Sequence, residues 1–182
     1  MKKFPASPRY HAALMSMHWL MLLLLVAVYV TMELRGLFPR GGDTRAAMRT
    51  WHYMLGLSVF ALVWLRLLFK WASPTPPISP PPPTWQQLTS TALQWAFYAF
   101  MFAMPLLGWL ILSANGKPIP FFGLELPALT SPNKDLASSI KSIHETVATV
   151  GYFMLGLHAA AALFHHYFLR DNTLTRMIPI RR

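Results

Sequence analysis

Apolar residues in this chain come in four long blocks, separated by short stretches rich in charge or proline. The first block covers about residues 12–32 and has no charged side chain. The second, about 51–69, carries Arg66, with Lys70 just past its end, both placed where long cationic side chains reach the interface. The third, about 88–112, is aromatic-rich and contains Pro105, which removes one helical hydrogen bond but is tolerated in membrane helices. The fourth covers about 142–168. As helices of roughly 20 residues each, such blocks cross the ~30 Å hydrocarbon layer. The pattern predicts an all-α integral membrane four-helix bundle, one domain over residues 1–182. Residues 73–84 are too dense in proline for helix or sheet and predict an extended polyproline linker. Residues 115–134, broken by Gly and Pro, predict an irregular loop capping one end.

Polar positions inside the blocks carry the functional signal. Steps of seven through the fourth block pick out His144, Gly151, His158 and His165. Each step drifts only about 20° around a helix, so the four share one narrow stripe. His18 opens the first block and His52 the second, while the third has no histidine. With alternating spans, His18 and His158 fall near the inner side of the membrane, and His52 and His144 near the outer side. His144 and His158 are about 21 Å apart along the helix axis at a 1.5 Å rise per residue. Two levels thus hold two imidazoles each, from different helices. One membrane histidine alone often just hydrogen-bonds a neighbouring helix; two couples in register point to a ligand.

Composition narrows the choice. There is no cysteine, which excludes disulfides, thiolate metal sites, cysteine-held iron–sulfur clusters and covalent c-type haem. Zinc needs a third or fourth ligand, and the second histidine of an H-E-x-x-H motif does not follow His144. Di-iron bundles need inward glutamates, and a proton relay normally mixes histidine with buried acids. Haem fits the pattern best: one imidazole on each face, at two depths, gives a low-spin pair suited to electron transfer. Gly151, midway along the stripe, and Gly56, one turn after His52, allow close approach of a flat cofactor, although glycine also serves plain helix packing.

The net charge of +10 raises the question of nucleic acid, but the basic residues lie between apolar blocks rather than on one polar face, so no nucleic-acid partner is expected. With the N-terminus inside, Lys2, Lys3, Arg9, Arg66, Lys70, Arg170, Arg176, Arg181 and Arg182 gather on the inner side. Arg35, Arg40, Arg45, Arg49, Lys117, Lys134 and Lys141 gather on the outer side, a slim inner majority of the 16 that favours both termini inside. The outer cations either pair with local acids or attract an anion to the outer face; Arg35, Arg40, Arg45, Arg49 and Lys141 are the candidates for such steering.

Several motifs run together through the chain: His18-Trp19, MELRGLFPR at 32–40, His52, PTPP at 74–77, HETVATVGYF at 144–153, LHAAAALFHHYF at 157–168 and DNTLTRM at 171–177. With them the chain resembles the bacterial cytochrome b561 family, the small di-haem, quinone-linked cytochromes of the inner membrane, over essentially its whole length. The resemblance implies two haem b groups with axial ligands His18/His158 and His52/His144, a quinone site at His165 near the inner haem, and residence in the bacterial inner membrane among lipid. It also implies superoxide as outer donor and ubiquinone as acceptor, an oxidoreductase. The rival expectation is a non-enzymatic electron carrier or membrane anchor serving a separate dehydrogenase.

Overall fold

A computed structural model describes residues 9–178. Lys2, Lys3, Arg181 and Arg182, which the charge count used, lie outside the described residues. Helix α1 spans Ala12–Leu34 and runs into a 3-10 turn at Arg35–Leu37; α2 spans Asp43–Ala72, α3 Thr84–Ala114 and α4 Lys134–Phe164. All four are long and apolar enough to cross a membrane, and the molecule is a transmembrane four-helix bundle. The helices outrun the apolar blocks because polar turns extend them. α2 opens with Asp43, an acid at the positive end of its dipole, and the side chain of Asn133 caps α4 by accepting from the Leu136 amide at 3.0 Å. Leu23, Trp64, Phe153 and Leu157 remain exposed, as side chains facing lipid do. The proline linker has no helix or strand through residues 74–83.

Packing is organised as two hairpins. α1 lies along α2 and α3 along α4, and the hairpins meet along the α2–α3 seam. No Cα of α4 comes within 8 Å of a Cα of α1 or α2, so on that side the backbones stand apart and the gap between them is crossed by side chains. A core of Met21, Leu25, Val59, Val63, Leu67, Tyr98, Phe100 and Met101 fills the seam. Tyr29 reaches across the gap from α1, donating its hydroxyl to the Ala148 carbonyl at 2.7 Å.

The loop at 115–134 departs from the irregular cap that its Gly and Pro content predicts. It contains a β-hairpin, β1 (Ile119–Phe121) against β2 (Leu124–Leu126), packed on the ends of α2 and α3. Its two-residue turn has positive φ at both Phe122 (48°) and Gly123 (87°), the mirror-image turn whose twist suits antiparallel strands. Trp109 and Ser113 of α3 hold the segment: the indole donates to the Pro127 carbonyl at 2.9 Å, and the Ser113 hydroxyl accepts from the Leu129 amide at 3.0 Å.

At the opposite face the chain ends lock together. Leu169 closes a single π turn, His165–Leu169, and Arg170 adopts a left-handed conformation (φ 54°) that reverses the chain. Asn172 then bonds the proline linker through Ser79 and Pro77, Arg176 donates to the Pro76 carbonyl, and Trp19 of α1 donates to the Met177 carbonyl at 2.8 Å.

Candidate functional site

Both imidazole couples form. The rings of His18 (α1) and His158 (α4) have centroids 6.1 Å apart and planes tilted by 59°. Those of His52 (α2) and His144 (α4) are 6.3 Å apart at 68°. A first-row metal binds an imidazole nitrogen at about 2 Å, so two rings gripping one metal from opposite faces hold their centroids about 6 Å apart. Both couples have that spacing, and both bridge the gap between the hairpins. Among the described residues no three His, Asp or Glu side chains converge as a metal site. Two nitrogens per site suit a metal whose remaining ligands come with it, as in a porphyrin.

Nδ1 of His52 lies 3.1 Å from the Val28 carbonyl, which can only accept, so Nδ1 carries the hydrogen and Nε2 is left bare for a metal. Nδ1 of His144 is buried without a well-formed hydrogen bond, with the Met104 carbonyl the backbone group interacting with its ring. Gly108 of α3 backs that ring: a Cβ there would sit 3.7 Å from His144 Cε1. At the inner couple Trp19 stands edge-on to His18 at 5.5 Å, and Phe97 of α3 edge-on to His158 at 5.2 Å.

Gly151 lies between the two levels and is buried. A Cβ there would meet Phe100 at 2.7 Å and the Tyr29 hydroxyl closer still, so glycine is required by protein packing at that point. Gly56 faces open space, with nothing within 4 Å of a built Cβ.

Arg66 has more partners than its place near the end of an apolar block discloses: near the start of α1 its half-buried guanidinium reaches the Leu14 carbonyl at 3.3 Å, Nδ1 of His18 at 3.4 Å and the Tyr98 hydroxyl. A charge near the end of an apolar block reads as snorkelling, and only helix packing reveals its direction.

His165 sits on the π turn, and its Nδ1 is 2.5 Å from Oδ2 of Asp171, a contact made possible by the chain reversal at Arg170. Asp171 is buried, and its other oxygen accepts from the Thr173 amide at 2.8 Å. Burial pushes its carboxyl up, but the bonds from His165 and Thr173 outweigh that and hold it below the ordinary carboxylate range. The sequence motif D-N-T contained this partner, but its spacing from His165 gives no helical register by which to pair them.

The cations expected at the outer face differ in their surroundings. Arg40 and Arg49 are exposed. Arg45 donates to the Phe38 carbonyl at 3.1 Å, and Arg35 lies within electrostatic range of His52 and Tyr53. Lys141 is paired with Glu145 at 2.8 Å, one helical turn on.

Comparison with known proteins bears on this arrangement. The model of a family described as prokaryotic cytochrome b561 matches residues 9–179. Cytochrome b561 homolog 1 of Escherichia coli (strain K12) is 41% identical over 174 residues, covering 96% of this chain and 99% of that protein. A probable superoxide oxidase CybB of Yersinia pestis is 38% identical over 174 residues, covering 96% and 98%. Cytochrome b561 homolog 2 of Escherichia coli (strain K12) is 30% identical over 128 residues, 70% of this chain and 68% of that one.

Proposed function

The chain belongs to the prokaryotic cytochrome b561 family, membrane b-type cytochromes of electron transfer, and from that membership we propose that it holds two haem b groups. One lies between His52 and His144 at the hairpin face, the other between His18 and His158 at the face where the described chain ends meet. Haem so held supplies reversible one-electron transfer, and two groups at two depths link a donor at one face to an acceptor at the other. We take the donor to be superoxide, as the name of the Yersinia pestis relative suggests, and the acceptor to be ubiquinone. Two superoxide anions yield two O2 and two electrons; ubiquinone takes those electrons and two protons from the inner aqueous phase. The membrane is the bacterial inner membrane, with both termini in the cytoplasm.

The observation that carries this reading is the spacing of the two imidazole couples, 6.1 and 6.3 Å, across a gap that α4 leaves open. The protein's own groups do the remaining work. Arg35, Arg40, Arg45 and Arg49 draw a small anion to the outer couple without a binding pocket, and Lys141, tied to Glu145, adds less. His165 meets the quinone: its Nδ1 is committed to Asp171, which leaves Nε2 as the group that hydrogen-bonds a carbonyl oxygen and passes a proton to it on reduction.

The test has two parts. Purified protein should bind two haems per chain, and His52→Ala and His158→Ala should each lose one. Superoxide should then drive ubiquinone reduction at a rate that falls several-fold as salt rises from about 0.01 to 0.15 M, where the Debye length shrinks from about 30 to 8 Å. Colourless protein would sink the haem reading. Full haem content with no superoxide-driven reduction, and co-purification with a separate redox subunit, would replace the enzyme by an electron-carrying anchor.

A further inference from the structure

Arg66 is a cation inside a membrane-spanning helix, and among the described residues it forms no ion pair. Among the described residues no carboxylate lies within 4 Å of its guanidinium; the ion pairs formed are Lys141–Glu145 and His165–Asp171. Its partners are instead neutral groups: the Leu14 carbonyl, the Tyr98 hydroxyl and Nδ1 of His18. Ionisable side chains at such depth are costly and are retained where they meet a counter-charge or a ligand.

The contact with His18 is informative in itself. A guanidinium has only donors, so the Nδ1 atom facing it must accept, and a neutral ring then carries its hydrogen on Nε2. Metal binding through Nε2 needs the reverse, a bare Nε2 and a hydrogen on Nδ1. His52 already has that arrangement through the Val28 carbonyl; His18 does not. The 3.4 Å contact is also long for a hydrogen bond, a weak hold that a carboxylate easily displaces. Once Arg66 turns to a stronger acceptor, the Leu14 carbonyl one turn before His18 is free for Nδ1–H.

We propose that Arg66 is the anchor for a carboxylate of the prosthetic group held by His18 and His158, that is, a haem propionate, and that forming this ion pair releases His18 for ligation. The proposal rests on the reading of His18 and His158 as haem ligands. A planar guanidinium matches a carboxylate with two parallel bonds, and Tyr98, which is buried, keeps the side chain aimed inward from α3. At the His52/His144 couple Arg35 lies within electrostatic range of His52, but among the described residues no cation is hydrogen-bonded to that ring, whose Nδ1 is taken by backbone. Arg66 thus makes the two haem environments electrostatically unequal, with its positive charge favouring the reduced form on the inner side.

The experiment uses detergent-purified holoprotein, wild type beside Arg66→Met, Arg66→Lys and His158→Ala. Haem per chain, the rate of haem loss to an excess of apomyoglobin, and the midpoint potential of each haem are read by absorption. In Arg66→Met one haem should leave at least tenfold faster, and its potential should fall by a tenfold shift in the oxidised-to-reduced ratio, about 59 mV for one electron. The other haem should not change. Arg66→Lys, which keeps the charge but loses the fork, should hold its potential near wild type while still releasing haem faster. Should the Met variant not assemble, Arg66→Gln gives the same readings. Unchanged release and potential in Arg66→Met and Arg66→Gln, with one haem missing from His158→Ala, would overturn the propionate anchor and leave the ligand reading intact. Full haem in His158→Ala would overturn the ligand reading, and the anchor with it.

Discussion

Replacing Gly151 with alanine adds one methyl group at the most crowded point between α1, α3 and α4. A Cβ there falls 2.7 and 2.8 Å from Cζ and Cε2 of Phe100, and Tyr29 is nearer still. Comfortable carbon contacts begin at about 3.5 Å, so the Phe100 ring must retreat by most of an ångström and the Tyr29 hydroxyl must leave its place. Overpacking of this kind costs about 1–3 kcal/mol. Displacing Tyr29 also loses its bond to the Ala148 carbonyl, about 1 kcal/mol. Alanine's better helix propensity returns about 1 kcal/mol, so the net destabilisation is about 1–3 kcal/mol. At roughly 2–4 °C per kcal/mol for a chain of this size, the unfolding midpoint of purified protein should drop by about 2–12 °C. Gly156, one and a half turns further along α4, has nothing within 4 Å of a built Cβ, so Gly156→Ala should unfold at or above the wild-type temperature. Thermal unfolding followed by tryptophan fluorescence compares them. Equal midpoints for the two variants, or a Gly151→Ala protein as stable as wild type, would refute the packing argument.

Other expectations follow from individual contacts. Asp171 is held below the ordinary carboxylate range, so its stabilisation of the chain-end cap is complete above that range and disappears as pH falls through the lowered folded-state value; Asp171→Asn should flatten the acid limb of an unfolding midpoint measured against pH. The same substitution frees His165 and should slow ubiquinone reduction roughly tenfold or more in a stopped-flow assay, with both haems retained. Arg35→Gln should lower the superoxide-driven rate at low salt more than Lys141→Gln, because Lys141 is already neutralised by an exposed partner; equal losses would argue against steering by position. Trp109→Phe removes the indole bond to Pro127 and should loosen the outer hairpin by about 1 kcal/mol, seen as faster amide exchange at Leu124 and Leu126.

What the sequence disclosed and what it hid divide along physical lines. Hydropathy marks where a helix meets hydrocarbon, so the four spans were readable, but it is silent on polar turns such as 43–50 and 134–141 that open α2 and α4 ahead of their apolar blocks. The hairpin at 119–126 was missed because its turn places Phe122 where Asn or Asp normally supplies positive φ, leaving only Gly123 as a cue. Histidine pairing was accessible because a seven-residue period is a one-dimensional record of a helix face. Arg66, Gly108 and Phe97 carried no such record: each approaches a histidine from another helix, and that approach is set by packing within the α1–α2 and α3–α4 hairpins. Asp171 was hidden for a related reason, since a left-handed residue at Arg170 folds it back on His165.

Each imidazole couple takes one ring from the α1–α2 hairpin and one from α3–α4, on the side where Tyr29 and Ala148 also tie the halves together but no Cα atoms of α4 and the first hairpin come within 8 Å. If the two couples hold haem as proposed, each iron would join the two hairpins at its own height, and the pigment would be a structural component of the protein as much as its redox centre. Polypeptide made faster than pigment is supplied would then lack those two joints between its halves. The amount of mature cytochrome in a cell should then follow haem supply, whatever the rate of translation.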